Sequence, residues 1–315
     1  MTMNYESEVI GKGGIIARVV QSSENYFSGK QLFTFEIEYP RFILAELNTH
    51  CMLEKNSSSS RAVPVLTQCQ MILDNPAIPV HFGKNQSGMV ADEELEGSCV
   101  DIAEEIWSDA AYDAIMHVKR MANLGVHKQV ANRLAEPFQR MKTVISGTEW
   151  NNFFWLRNHK DAQPEFQELA RVMLEAKNTV TPLVIYNDEW HVPYVERVRT
   201  FDGVLHYYSN GVELTKDQAI MVSVSCSAQT SYRKSDDSLE KAEQVFKRLN
   251  IGSDTEPAHA SPCTHQGTPI TYNMYTGTSW TKGVTHVDRD GNLWSGKYMD
   301  FIQYRKLIPN EYKPG

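Results

Sequence analysis

Cysteine is scarce and without pattern: Cys51, Cys69, Cys99, Cys226 and Cys263 are odd in number, scattered, and contain no C-x-x-C pair. That excludes a disulfide framework and a structural zinc site of the usual spacing. No apolar run approaches a membrane span, and Met1-Thr2-Met3-Asn4-Tyr5-Glu6 lacks the basic and apolar regions of a signal peptide. A cytoplasmic site of action and no membrane partner are expected. Positive charge is in deficit, 31 Lys and Arg against 39 Asp and Glu for a net charge of −8. This argues against a broad nucleic-acid face, yet a few arginines suffice to hold a single nucleotide. Gly11-Lys12-Gly13-Gly14 is not G-x-G-x-x-G, and neither a Walker loop nor H-E-x-x-H occurs. No Rossmann domain and no metal centre are expected.

What is present is a 315-residue chain, long enough for a sizeable core. Phe33, Phe35, Ile37 and Tyr39 alternate with Thr34, Glu36 and Glu38, the period of a half-buried strand that Pro40 ends. Phe42–Leu47 reads as a short helix delivering His50. Cys99, Ile102, Ile106, Ala110, Ala114, Val118 and Met121 mark a long amphipathic helix stopped at Gly125. A helix through Gln129–Leu134 follows, and another after Asp161 with Phe166, Leu169, Ala170, Met173 and Leu174 on one face. Val195–Tyr208, broken at Asp202-Gly203, reads as a hairpin. Thr215 with Gln218 makes a capping box, and Leu239, Ala242, Val245, Phe246 and Leu249 mark a further helix. No repeat or linker divides the chain, so we expect one domain over residues 1–315.

The densest chemistry lies in Thr49-His50-Cys51-Met52-Leu53-Glu54-Lys55-Asn56-Ser57-Ser58-Ser59-Ser60-Arg61. A guanidinium can hold a phosphate or a ring carbonyl through two hydrogen bonds, hydroxyls can complete the shell, and an imidazole or carboxamide can orient a flat ring. The segment resembles the signature of the flavin-dependent thymidylate synthases, with His50, Asn56, Ser59 and Arg61 in register. Thr49 and Cys51 stand where that family has arginines, Glu54 where it has serine, and Ala62 where it has tyrosine. The strand and helix from Phe33 to His50 resemble the stretch before the signature. Gly125-Val126, Val130-Ala131-Asn132-Arg133, Pro137, Asn152-Phe153, Leu156-Arg157, Ala162-Gln163 and Glu165 resemble the family's C-terminal half. Ser231-Tyr232 and His259-Ala260-Ser261-Pro262-Cys263-Thr264-His265 resemble its N-terminal pieces, here placed last.

The resemblance implies an α+β fold with a central antiparallel sheet flanked by helices and its segments in circularly permuted order, in the manner of a bacteriophage-type member. Insertions at 63–98 and 185–220 and a C-terminal extension at 270–315 have no family counterpart. The permutation requires His265 to lie near the start of the Phe33 strand. The resemblance further implies transfer of a one-carbon unit from methylenetetrahydrofolate to C5 of dUMP, with FAD reduced by NADPH, in a homo-oligomer, a tetramer in the family, whose substrate is a deoxypyrimidine monophosphate. It assigns Arg61, Arg133 and Arg157 to the nucleotide, with Arg157 polarising the ring carbonyl and Ser59 and Glu46 beside the substrate. His50, Asn56, Asn152, Ser231, His259 and Ser261 fall at flavin-contacting positions. His265 is read as structural and Cys263 as a buried apolar thiol. The departures at Thr49, Cys51 and Glu54 keep open a dCMP or dUMP hydroxymethylase or methylase serving modified viral DNA, and a non-catalytic nucleotide-binding homologue.

Overall fold

The computed structural model describes residues 5–231, 236–271 and 281–313, with Ser231 described by its backbone alone. In chain order, β1 (Ser7–Ile10), β2 (Ile16–Asn25) and β3 (Gln31–Pro40) precede α1 (Leu44–Asn48), β4 (Glu54–Ser57), α2 (Val65–Asp74), α3 (Ser98–Asn123) and α4 (Lys128–Ala131). Then come β5 (Arg140–Gly147), α5 (Asn151–Arg157), α6 (Pro164–Asn178) and β6 (Leu183–Ile185). The main sheet runs β1-β2-β3-β5-β4 with every pairing antiparallel, and β6 adds a short parallel pairing at the end of β2. This is the expected α+β class.

The alternation in β3 sets the layers. Phe33, Phe35, Ile37 and Tyr39 are buried against Phe166, Leu169, Ala170 and Met173 of α6, whose periodicity the sequence displays plainly. Fully burying each large apolar side chain stabilises by about 1.5–3 kcal/mol. Pro164 starts α6 at its first turn, where the missing N–H costs nothing.

The other face of β3 corrects the half-buried expectation. Thr34 is 0% and Glu36 3% exposed. A carboxylate so placed needs partners: Glu36 accepts from Tyr5 Oη at 2.9 Å and Tyr194 Oη at 3.2 Å and pairs with Lys142 at 3.0 Å. Beside it a hydrogen-bonded row crosses the sheet: Arg197 Nη1 donates to Ser23 Oγ, which meets His191 Nδ1; His191 Nε2 meets Thr34 Oγ1; and Thr34 bonds Ser146 Oγ, which meets His265 Nδ1, every step at 2.7–2.8 Å. His265, buried as expected of a structural residue, thus lies two hydrogen bonds from Thr34, the juxtaposition that the permuted order requires.

The cover over this face comes from the C-terminal half. The expected hairpin is β7 (Glu196–Arg199) and β8 (Leu205–Ser209), joined by β9 (Val212–Leu214). α7 (Lys216–Ala228) opens with the reciprocal Thr215–Gln218 capping box, and α8 (Leu239–Arg248) packs on it. β10 (Gly267–Pro269) precedes β11 (His286–Val287), β12 (Leu293–Ser295), β13 (Tyr298–Met299) and β14 (Phe301–Gln303), and pairs with β14. Tyr298 and Phe301 are fully buried in a second apolar cluster with Cys226 and Cys263, so residues of the expected extension form part of a core.

Two helical expectations need correction. In α3 the expected stripe holds at its C-terminal end, where Val118 is buried and Ala114 and Met121 pack on the same cluster, whereas Cys99, Ile102, Ile106 and Ala110 face outward and Ala111 and Ile115 are buried with Trp107 packed beside them. Small and apolar side chains occur on both stripes, and the choice was made by α2, a helix not expected within 63–98, whose Cys69 and Ile72 fill the same cluster. The helix expected over 129–134 is α4 continued by a 3-10 turn, Asn132–Phe138, that carries Pro137.

Candidate active site

The signature-like segment wraps the edge of the main sheet. α1 and the turn after it present Thr49 and His50, β4 carries Asn56 on the edge, and a loop continues through Ser59 and Arg61. Two groups of side chains result, one ahead of β4 and one after it.

At the first end, His50 and Arg157 meet. Arg157 closes α5, and its Nε donates to His50 Nε2 at 2.7 Å while Nη2 reaches Thr49 Oγ1 at 3.4 Å. The guanidinium lies 4.9 Å over the Phe166 ring, and the imidazole stands edge-on to Phe153 and Phe166. Burial, then the charges of Arg157 and Lys55, hold the His50 pKa down at about 4. The ring is therefore neutral at neutral pH, with Nε2 as acceptor and the proton on Nδ1. Arg157 forms no ion pair with any described carboxylate. Nearby on α1, Glu46 has a buried Oε2 without a hydrogen-bond partner among the described residues.

At the second end, the loop is tied to the α4 region. Asn132, fully buried, donates to the carbonyls of Ser60 at 2.8 Å and Val63 at 3.0 Å, and Lys128 donates to that of Ala62. Glu136 takes Ser60 Oγ at 3.1 Å, Arg41 at 2.9 Å and Arg133 at 3.6 Å. Arg133 and the Ser59–Arg61 loop are thus brought together through one carboxylate. Ser59 Oγ accepts from the Arg61 N–H, and the Arg61 guanidinium is exposed and makes no ion pair with a described residue.

The remaining expected residues are dispersed. Asn56 donates to the Ser227 carbonyl at the end of α7, at 2.6 Å. Asn152 is exposed in the first turn of α5, next to the buried Phe153. His259 and Ser261 are exposed just ahead of and within a 3-10 turn, Ser261–Thr264, that lies against β4. Among the described residues no hydrogen bond joins either to His50 or Arg157. The contact expected of the Ser231 side chain, with its neighbour Tyr232, falls outside the described residues. Cys263 is buried as expected, and burial pushes its thiol up to about 12, far from a thiolate nucleophile.

Several participants carried no sequence signal. Phe166 reads only as part of an apolar helix face and Phe153 only as a neighbour of Asn152 in the resemblance, and both shape the His50–Arg157 contact. Lys297 belongs to the expected extension, yet it reaches Glu54 Oε2 at 3.4 Å, while Gln303 donates to Glu54 Oε1 at 3.2 Å. The carboxylate that departs from the signature is thereby paired from the far end of the chain.

Residues 12–183, more than half of the chain, match the model of a family described as thymidylate synthase complementing protein. Among solved structures, the crystal structure of a UMP/dUMP methylase, PolB, from Streptomyces cacaoi bound with 5-Br UMP is similar at a TM-score of 0.42 and 16% identity, with 54% of this chain and 90% of that chain covered. No curated protein matches the chain.

Proposed function

The chain belongs to the thymidylate synthase complementing protein family, and on that premise we propose that it transfers a one-carbon unit from methylenetetrahydrofolate to C5 of dUMP with FAD as cofactor. The observation that carries this reading is Arg157: a guanidinium held by a neutral imidazole, a hydroxyl and an aromatic face, with no described carboxylate opposing it. Such a charge is kept for a ligand, and a pyrimidine carbonyl suits it. The orphaned Glu46 Oε2 adds a buried acceptor that a ring N–H would satisfy.

In this reading Arg157 draws electron density toward the ring carbonyl and so makes C6 a better hydride acceptor, while His50 fixes the guanidinium by accepting from Nε. Arg61 and Arg133 take the phosphate, and Ser59 lies beside the substrate as a hydrogen-bonding group. When bound, FAD reduced by NADPH would supply the two electrons, as the hydride accepted at C6, that bring the transferred carbon to the methyl level. Asn56, Asn152, Ser231, His259 and Ser261 remain the proposed flavin contacts, some of them reached across a subunit boundary in a homo-oligomer. The protein's share of the work is alignment and carbonyl polarisation.

The visible absorption spectrum and product mass test this directly. Purified protein should show a flavin band or acquire one with added FAD, and incubation with dUMP, methylenetetrahydrofolate and NADPH should add a methyl group. Hydroxymethyl on dCMP or dUMP would redirect the reading to a hydroxymethylase. A colourless protein that binds no added FAD would overturn it.

A further inference from the structure

Two ammonium groups from distant parts of the chain converge on the turn that follows His50. Lys55 Nζ donates to the carbonyls of His50 at 2.5 Å and Leu53 at 3.4 Å. Lys297 Nζ, from the turn between β12 and β13, reaches the same Leu53 carbonyl at 3.4 Å. Capping a carbonyl needs one donor. Two like charges on one acceptor repel, and that repulsion needs a compensating anion. Burial first and Lys297 second bring the Lys55 pKa down to about 8, the mark of an ammonium group short of counter-charge.

The counter-charge present is small. Glu54 faces Lys297 at 3.4 Å, and its second oxygen is engaged by Gln303. Arg157 brings a third cation to His50 from the other side. Three positive groups therefore contact residues 50–54, where the carboxylates are Glu54, paired with Lys297, and Glu46 on α1, which forms no ion pair with a described residue, in a chain whose net charge is −8. The Lys297 side chain is 39% exposed, so a ligand can reach it.

These lysines also stand beside the two signature positions where arginines are missing, Thr49 and Cys51. Lys297 lies outside the residues 12–183 that match the family, so the charge it brings comes from this chain's C-terminal half. We infer that Lys55 and Lys297 form an anion subsite that receives a phosphate or diphosphate group of a ligand bound beside Arg157 and His50. The inference rests on the function proposed above for the identity of that ligand: with Arg61 and Arg133 on the nucleotide phosphate, the group received here is the diphosphate of the flavin dinucleotide, and a nucleotide phosphate bound here would take that role from the two arginines.

The test measures binding by titration for wild type, Lys55→Met, Lys297→Met and Lys297→Arg, using dUMP, deoxyuridine, FAD, riboflavin and inorganic pyrophosphate. Losing one charge-assisted contact should weaken the phosphate-bearing ligand by about tenfold or more. The uncharged counterpart should be unaffected, Lys297→Arg should retain most of the affinity, and the wild-type advantage should shrink at high salt. Weakened dUMP binding alone assigns the subsite to the nucleotide, and weakened FAD binding alone assigns it to the flavin. Affinities for dUMP and FAD unchanged in both methionine variants would overturn the subsite and leave the proposed function standing. If wild type binds neither dUMP nor FAD, the proposed function fails, and reductive methylation read by mass spectrometry decides the subsite. Protection of Lys55 and Lys297 by pyrophosphate supports it, and unchanged labelling ends it.

Discussion

The two faces of β3 come from alternate residues of one ten-residue strand and are both dry from Leu32 to Ile37, yet they are held in different ways. On one side Phe33, Phe35 and Ile37 meet α6 chiefly through dispersion and apolar burial, with the Lys177 ammonium of α6 4.5 Å over the Phe33 ring. On the other, Thr34 and Glu36 meet His191 and Tyr194 of the C-terminal half through hydrogen bonds, and meet β5 through Ser146 and the Lys142 ion pair, contacts that must be satisfied in detail. The apolar face tolerates approximation because any well-shaped hydrocarbon fills it. The polar face is intolerant: each partner removed leaves another group buried and unmet.

That contrast can be broken by experiment, beginning where the effect is largest. Phe35→Ala should cost about 3–5 kcal/mol by emptying the apolar layer, read as a shift in the urea midpoint at unchanged slope. A loss under about 1 kcal/mol would mean that α6 collapses into the gap. Next comes pH. Burial holds His265 down at about 3 and His191 well below its ordinary range, while both titrate near 6.5 when unfolded. Below pH 6.5 the unfolded chain binds protons that the folded chain refuses, so stability should fall as pH drops from 6.5 towards 4, with His50 adding to the fall, and should rise above pH 8, where Lys55 is held down in the folded chain. Each histidine contributes about 1.4 kcal/mol per pH unit. Urea unfolding across that range should lose about one such increment of slope in His265→Gln, and an unchanged slope would show that His265 is protonated in the folded chain.

The sharpest comparison exchanges the same atoms at two places. Thr34→Val strips the hydroxyl that joins His191 to Ser146 and should cost about 1–3 kcal/mol. Thr268→Val removes a buried hydroxyl that has no partner among the described residues and should change stability by under about 0.5 kcal/mol or raise it. Equal losses in thermal melts of the two variants would mean that Thr268 has a partner such as an ordered water.

What could be read from residues alone follows the same division. Helix α6, the β7–β8 hairpin and the Thr215–Gln218 box were legible because their signals are local: a stripe every three or four residues, an Asp-Gly turn, a cap and its reciprocal partner. The polar side of β3 was misread because its cover, His191, Tyr194 and His265, comes from more than a hundred residues away, and period two cannot distinguish solvent from a polar lid. In α3 two stripes competed, and the winner depended on α2, whose sequence gave no clear start or stop. The site divides likewise. The pairing of His50 with Arg157 was within reach of a motif, as was the grouping of Arg133 with the Ser59–Arg61 loop. The reach of Lys297 to Glu54, or of Asn56 to Ser227, follows only from how the two ends of the chain pack.

The grip on β4 has a practical consequence. Glu54 is clasped by Lys297 and Gln303, and Asn56 by the last turn of α7, so the edge carrying the signature is stitched to polypeptide well past residue 183. A shortened version ending with the matched segment would free those two side chains and bare the row of hydroxyls and imidazole contacts on β3. Such a fragment would make a poor surrogate for ligand screening, and crystallographers or engineers should keep both portions together.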